Sequence, residues 1–185
     1  AGALVLEPKI LLLDEPFSSL DAILRVRLRE ELRLIQRRLN ITTIFVTHDQ
    51  EEALSLADRI AIMNEGRVEQ LDAPSQIYAY PRTLFAADFI GAMNLLPAQP
   101  DGSTLRIGGQ HLPAADDLGA ASLVVGIRPE DFAVVPERTS LDSATVWTAE
   151  LLQLMDMGHY RKALMRLDGL DESIKVFTAK SLALN

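Results

Sequence analysis

The chain has 185 residues, 48% of them hydrophobic and 24% charged, a composition that excludes a disordered or fibrous protein and suits one or two domains with a substantial core. Lys and Arg number 18 against 26 Asp and Glu, a net charge of -8 that argues against a broad phosphate-coating basic surface and so against nonspecific nucleic-acid binding. There is no cysteine, which excludes disulfides, cysteine-ligated zinc, iron–sulfur clusters and thiol nucleophiles, and no apolar run has the length that spans a bilayer.

Ile10-Leu11-Leu12-Leu13, closed by Asp14-Glu15-Pro16, predicts a strand buried on both faces of a parallel sheet, with Pro16 ending its ladder. Two acidic residues at the carboxyl end of such a strand lie where ligands bind in open α/β sheets. Neighbours on a strand face opposite ways, so Asp14 and Glu15 are expected to do different jobs. After Ser18-Ser19-Leu20-Asp21, the apolar residues Leu24, Leu28, Leu32, Ile35 and Leu39 recur at helical spacing and predict a helix buried along that face. Arg25, Arg29, Arg33, Arg37 and Arg38 occupy its other faces and read as a solvated surface, with no interleaved aromatic residues to suggest base stacking.

Asn40 reads as a helix stop, and residues 42–47, rich in β-branched and aromatic side chains, read as the next strand, joined to the first by a right-handed parallel crossover. That strand delivers Thr47-His48-Asp49 to the same sheet edge as Asp14-Glu15. Asp49 and Glu52 have capping-box spacing, opening a short helix through residue 57 and leaving His48 at a strand-to-helix junction. Residues 59–64 and 68–71 flank a Glu65-Gly66 hairpin turn, and residues 74–90 read as two short helices separated by Pro81. There Tyr78, Leu84, Phe85, Phe89 and Ile90 read as docking apolar residues. The texture then changes: prolines and glycines crowd residues 97–120, and short strands are predicted at 104–107, 122–127, 145–154, 160–167 and 173–178. Gly108-Gly109 reads as a turn, and Gly158-His159-Tyr160-Arg161 as a surface hairpin rather than an anion or sugar contact.

Three segments in order, Leu11-Leu12-Leu13-Asp14-Glu15-Pro16, Ser18-Ser19-Leu20-Asp21 and Thr47-His48-Asp49-Gln50-Glu51-Glu52-Ala53, resemble the ATPase subunit of an ATP-binding cassette (ABC) importer. Asn64-Glu65-Gly66-Arg67, Pro74, Tyr78, Pro81, Phe89-Ile90-Gly91 and Asn94 resemble the segment that leads from that ATPase core into an appended transport-associated (TOBE) domain, and Gly126-Ile127-Arg128-Pro129-Glu130 resembles a motif within it. The resemblance implies an α/β fold: residues 1–90 as the C-terminal half of a P-loop NTPase-type domain, then residues 91–185 as a small all-β barrel of the oligonucleotide/oligosaccharide-binding type, incomplete by at least one strand or closed by a partner. It implies ATP and Mg²⁺ as cofactors, with Asp14 holding the ion through water, Glu15 polarising the attacking water and His48 contacting the γ-phosphate. Asp21 takes the position at the contact between two ATPase copies. The implied partners are a second copy and transmembrane permease subunits, on the cytoplasmic face of the membrane without insertion into it, for uptake of sugars, polyamines, phosphonates, iron or other ions.

The phosphate-cradling Gly-x-x-x-x-Gly-Lys-Ser/Thr loop does not occur in the 185 residues, nor do the family's glutamine loop and Leu-Ser-Gly-Gly-Gln signature. Ile107-Gly108-Gly109-Gln110 only imitates the signature, lacking its serine and lying after the strand it should precede. The expectation is therefore half of an ATPase plus an appended barrel, inactive as an isolated chain. One rival reading is a regulatory and dimerisation module that senses a solute without catalysis. Another, a His48-Asp49 hydrolase unrelated to ATP, needs a nucleophile, and the sequence around Thr47 offers no suitable base arrangement for one.

Overall fold

The computed structural model describes residues 9–114, 123–135 and 145–181. The opening segment 1–8, and residue 122 of one expected strand, lie outside the described residues. The chain divides into two compact units, Ala1–Gly91 and Ala92–Asn185, the first mixed α/β and the second built of strands.

In the first unit β1 (Ile10–Asp14), α1 (Ala22–Leu39) and β2 (Thr42–Val46) form a parallel strand pair joined by a helix, in a register that sets Ile10 against Thr42 and Asp14 against Val46. The helix starts where Asp21 Oδ1 accepts the Leu24 N–H at 2.9 Å, and stops at Asn40, which takes the left-handed conformation that asparagine tolerates well.

Two sequence expectations are corrected here. The strands are not buried on both faces: exposure alternates along β1 and β2, and Leu12 is 71% and Val46 59% exposed. A two-stranded sheet with one helix has material to cover one face only. The inward face of α1 is also not the apolar stripe, since Leu24, Ile35 and Leu39 are exposed while Arg25, Leu28, Arg29, Leu32 and Arg33 are partly buried. Arginine stems pack as apolar surface when their guanidinium groups find carboxylates, and acceptors on the next helix supply them.

That helix, α2 (Gln50–Leu56), leads into the hairpin of β3 (Ile60–Asn64) and β4 (Arg67–Asp72), followed by α3 (Pro74–Ala79) and α4 (Leu84–Phe89). Glu65 and Gly66 turn the hairpin with φ of 48° and 76°, the consecutive left-handed pair that matches the twist of two antiparallel strands. The core of the unit lies in this part, where Ile60, Ile62, Ile77, Ala86 and Ile90 pack together with Tyr78 and Phe85 against them. Leu84 and Phe89 remain largely exposed.

The second unit has two antiparallel sheets. β5 (Asn94–Asp101), β6 (Thr104–Ile107), β7 (Gln110–Pro113) and β8 (Leu123–Ile127) run in the order β7-β6-β5-β8. β9 (Ala149–Asp156), β10 (Arg161–Leu167) and β11 (Ser173–Thr178) run in the order β11-β10-β9. Leu96, Ala98 and Ile107 from the first sheet meet Ala163, Met165, Leu167, Ile174 and Val176 from the second in one core. Asn94 joins the sheets: its Nδ2–H donates to the Lys175 carbonyl at 2.8 Å and its Oδ1 accepts the Lys175 N–H at 2.7 Å.

Among the described residues these sheets are open, without the closed barrel that five strands suggested. β5 was not expected, because Pro97 and Pro100 argue against a strand. Among the described residues its first half pairs only with β8 and its second half only with β6, so each half has an unladdered side on which a missing N–H is harmless. The strand expected from residue 145 begins at Ala149. Gly108-Gly109 is the β6–β7 turn.

Candidate functional site

The parallel register places the ends of β1 and β2 side by side. Asp14, opposite Val46, is the last residue of β1, and the Glu15 N–H extends the ladder by one bond to the Val46 carbonyl at 2.9 Å. Glu15 then leaves the strand with φ of 43°, an uncommon conformation for a residue with a β-carbon and one that concentrates at functional sites. Its carbonyl accepts from Ser18 Oγ at 3.0 Å and from the Ser18 N–H at 3.3 Å, so the turn after it is tied down locally. Phe17, 5% exposed, anchors the same turn.

His48 follows β2 by two residues, and its Nδ1 lies 2.9 Å from Glu15 Oε1. An ionised carboxylate only accepts, so Nδ1 carries the proton of this bond. The bond to Glu15, and then the charge of Glu15, raise the His48 pKa above its ordinary 6.5; desolvation opposes them, and Asp49 and Glu52 add smaller increments. Both side chains face solvent, at 74% for His48 and 44% for Glu15.

Of the four residues singled out in the sequence, the structure brings Glu15 and His48 into contact and sets Asp14 next to them at the strand end. The Asp21 carboxylate is engaged differently, as the cap of α1. Asp14 is an exposed hard oxygen donor, and among the described residues no three His, Asp or Glu side chains cluster to form an all-protein metal cage. That donor set fits a Mg²⁺ ion held by one carboxylate with phosphate and water oxygens completing the shell.

The capping-box expectation is met by half. Asp49 Oδ1 accepts the Glu51 and Glu52 N–H groups at 2.9 and 3.2 Å, but Glu52 does not return the bond to Asp49. Thr47 Oγ1 takes the Asp49 N–H at 3.0 Å, and donates to Glu52 Oε2 at 2.7 Å. Glu52 is 2% exposed and faces Arg25, whose Nη1 donates to Asp49 Oδ2 at 3.2 Å and whose Nη2 donates to the Leu20 carbonyl at 3.1 Å. Sequence reasoning did not connect Arg25, Thr47 and Glu52 with one another. The available signal was the spacing of Asp21 and Arg25, which puts the guanidinium one turn into the helix, on the side of its cap.

Gln50 adds a third anchor beside His48. Its side-chain amide donates from Nε2 to the Phe89 carbonyl, while Oε1 accepts the Gly91 N–H at 2.8 Å. In the second unit the hairpin expected at Gly158 is a turn between β9 and β10, closed by the Met157 N–H on the Tyr160 carbonyl at 2.9 Å. Arg128 there is buried and donates to the Ala92 carbonyl at 3.1 Å.

No protein family model matches the chain. Curated proteins do. It is 50% identical over 143 residues to the sn-glycerol-3-phosphate import ATP-binding protein of Roseobacter denitrificans, covering 73% of this chain and 38% of the relative. An Fe(3+) ions import ATP-binding protein of Rhizobium meliloti is 47% identical over 148 residues, 78% of this chain and 37% of the relative. The sulfate/thiosulfate import ATP-binding protein of Xylella fastidiosa is 44% identical over 171 residues, 91% of this chain and 47% of the relative. The chain thus spans less than half the length of each of these relatives.

Proposed function

The chain belongs to the family of ATP-binding subunits of ABC importers, and from that premise we propose that it is the part of such a subunit that supplies the hydrolytic carboxylate and the γ-phosphate-sensing histidine. The observation that carries the proposal is the 2.9 Å contact between Glu15 and His48 at the ends of two parallel strands, beside Asp14. In this reading residues 1–90 are the second half of a nucleotide-binding domain and residues 91–185 a TOBE-type domain.

Glu15 offers a carboxylate at the strand end to orient and polarise a water. His48 has its Nδ1–H held by Glu15, which raises its pKa, and when protonated it presents Nε2–H as a second donor. Such a donor suits a γ-phosphate oxygen, because phosphoryl transfer depends mainly on positioning and charge stabilisation. Asp14 would hold Mg²⁺, an ion well served by a single carboxylate with phosphate and water oxygens, and the bound ion would neutralise charge on the phosphates.

The subunit works as a pair with a second copy and with permease subunits, bound to the cytoplasmic face of the membrane. Among the described residues no helix is long and apolar enough to cross a membrane. The relatives that the chain matches at 44 to 50% identity are named for three different solutes. The test is ATP hydrolysis by the full-length subunit. Glu15→Gln, which keeps shape and removes the base, is expected to abolish turnover and leave nucleotide binding intact; turnover that survives the substitution rejects the assignment.

A further inference from the structure

His48 is held by few contacts. Its side chain is 74% exposed and its recorded polar contact is with Glu15, so no packing in the interior fixes where the ring stands. Its position is set by the backbone on either side, at Thr47 and Asp49. Both of those residues belong to one closed set of polar contacts centred on Arg25 and Glu52.

Arg25 hydrogen-bonds two acceptors and faces the carboxylate of a third residue at ion-pair distance. Nη1 donates to Asp49 Oδ2 at 3.2 Å, Nη2 donates to the Leu20 carbonyl at 3.1 Å, and Nε lies 3.9 Å from Glu52 Oε1. Glu52, 2% exposed, passes the connection on by accepting from Thr47 Oγ1, and Thr47 Oγ1 accepts from the Asp49 N–H. The circuit therefore runs from the carbonyl just before Asp21, through the guanidinium, to the residues on both sides of His48. A buried carboxylate is retained only where it is paired and hydrogen-bonded, and Glu52 has both kinds of partner. The neighbouring pair of Arg29 and Glu51, at 3.9 Å with Glu51 86% exposed, lacks that burial and serves as a natural control.

We propose that Arg25, acting with Glu52, is a positioning residue that holds the Asp21 turn and the His48 junction at one fixed spacing. The inference rests on the reading of Glu15 and His48 as the hydrolytic pair. A planar fork can bond Leu20 and Asp49 at once while its Nε faces Glu52; a lysine ammonium on a flexible stem keeps the charge and loses that geometry. Misplacing His48 weakens an interaction made with the reacting phosphate and leaves nucleotide binding alone, so the effect falls on kcat and spares KM.

The experiment measures ATP turnover of the full-length subunit with Arg25→Lys, Arg25→Met, Glu52→Gln and the Arg25→Met/Glu52→Gln double variant, beside Glu51→Gln and Glu15→Gln. Arg25→Lys and Glu52→Gln are expected to lower kcat about 10- to 100-fold with KM for ATP within about twofold. The double variant is expected to be no slower than the slower single one, because both members serve one circuit. Glu51→Gln is expected to match the unaltered protein. If Arg25→Met fails to fold, Arg25→Lys decides. Unchanged kcat in Arg25→Lys while Glu15→Gln is inactive overturns the inference and leaves the hydrolytic pair standing; so does a loss shared equally by kcat and KM. Equal turnover with and without Glu15→Gln removes the hydrolytic pair itself, and the inference with it.

Discussion

Glu15 Oε1 and His48 Nδ1 meet at 2.9 Å although 33 residues separate them along the chain. The meeting follows from register. Pairing Asp14 with Val46 puts Glu15 one step beyond one strand and His48 two steps beyond the other, and the left-handed turn at Glu15 redirects its side chain. A slip of one residue in either strand would reverse the faces and separate the two groups.

The pair makes the protonation of His48 report on the site. Its pKa is raised above 6.5, chiefly by the hydrogen bond that Nδ1–H donates to Glu15 and then by the charge of Glu15. A raised histidine stabilises the folded arrangement fully below the ordinary value of 6.5, and the contribution is lost as pH rises through the higher folded value. Glu15→Gln is therefore expected to move the His48 titration down toward 6.5, and high salt to move it part of the way, since the pair is exposed. Proton NMR titration of the three histidines, with His48→Gln to assign the resonance, reads this directly. A titration indifferent to Glu15→Gln means the two side chains do not meet in solution.

Much of this arrangement is legible in the sequence because it depends on neighbours along the chain. The apolar run before Asp14, the β-branched run before His48, the cap at Asp21 and the stop at Asn40 are local signals, and each marks an element end. Arg25 was not legible in the same way. Periodicity on α1 selects Leu24, Leu28, Leu32, Ile35 and Leu39, and nothing within the helix reveals that Asp49 and Glu52, more than 20 residues on, draw the arginine face inward. β5 was hidden for a related reason: prolines are harmless there only because each half of the strand has a ladder on one side, a fact of sheet topology.

Gln50 ties the start of α2 to the end of the first unit through both atoms of its amide, one bond to the Phe89 carbonyl and one from the Gly91 N–H. Gln50→Ala removes both. A net hydrogen bond is worth about 1 kcal/mol, so local opening at Gly91 is expected to become about 5-fold easier if one bond governs it and about 30-fold if both do. Amide hydrogen exchange at Gly91 measures that ratio. Exchange unchanged by the substitution would show that this segment is held by other contacts.

Two glycines of the second unit separate backbone conformation from close approach. Gly158 and Gly169 both have positive φ, 91° and 81°, so alanine at either pays for a left-handed conformation, about 1–2 kcal/mol. At Gly158 an added β-carbon meets nothing within 4 Å. At Gly169 it falls 2.9 Å from the Gly109 backbone nitrogen and 3.3 Å from the Gly108 carbonyl carbon, and backbone atoms cannot swing aside as a side-chain tip does. Gly169→Ala should therefore lose an additional ~1–3 kcal/mol for forced displacement of the β6–β7 turn. The chain's single tryptophan, Trp147, packs near Phe132 in the same unit, with ring centroids 6.4 Å apart, so its fluorescence during urea unfolding compares the two variants on one scale. Equal losses at the two positions would mean that the turns of β6–β7 and of Asp168-Gly169 do not touch as closely as this packing requires.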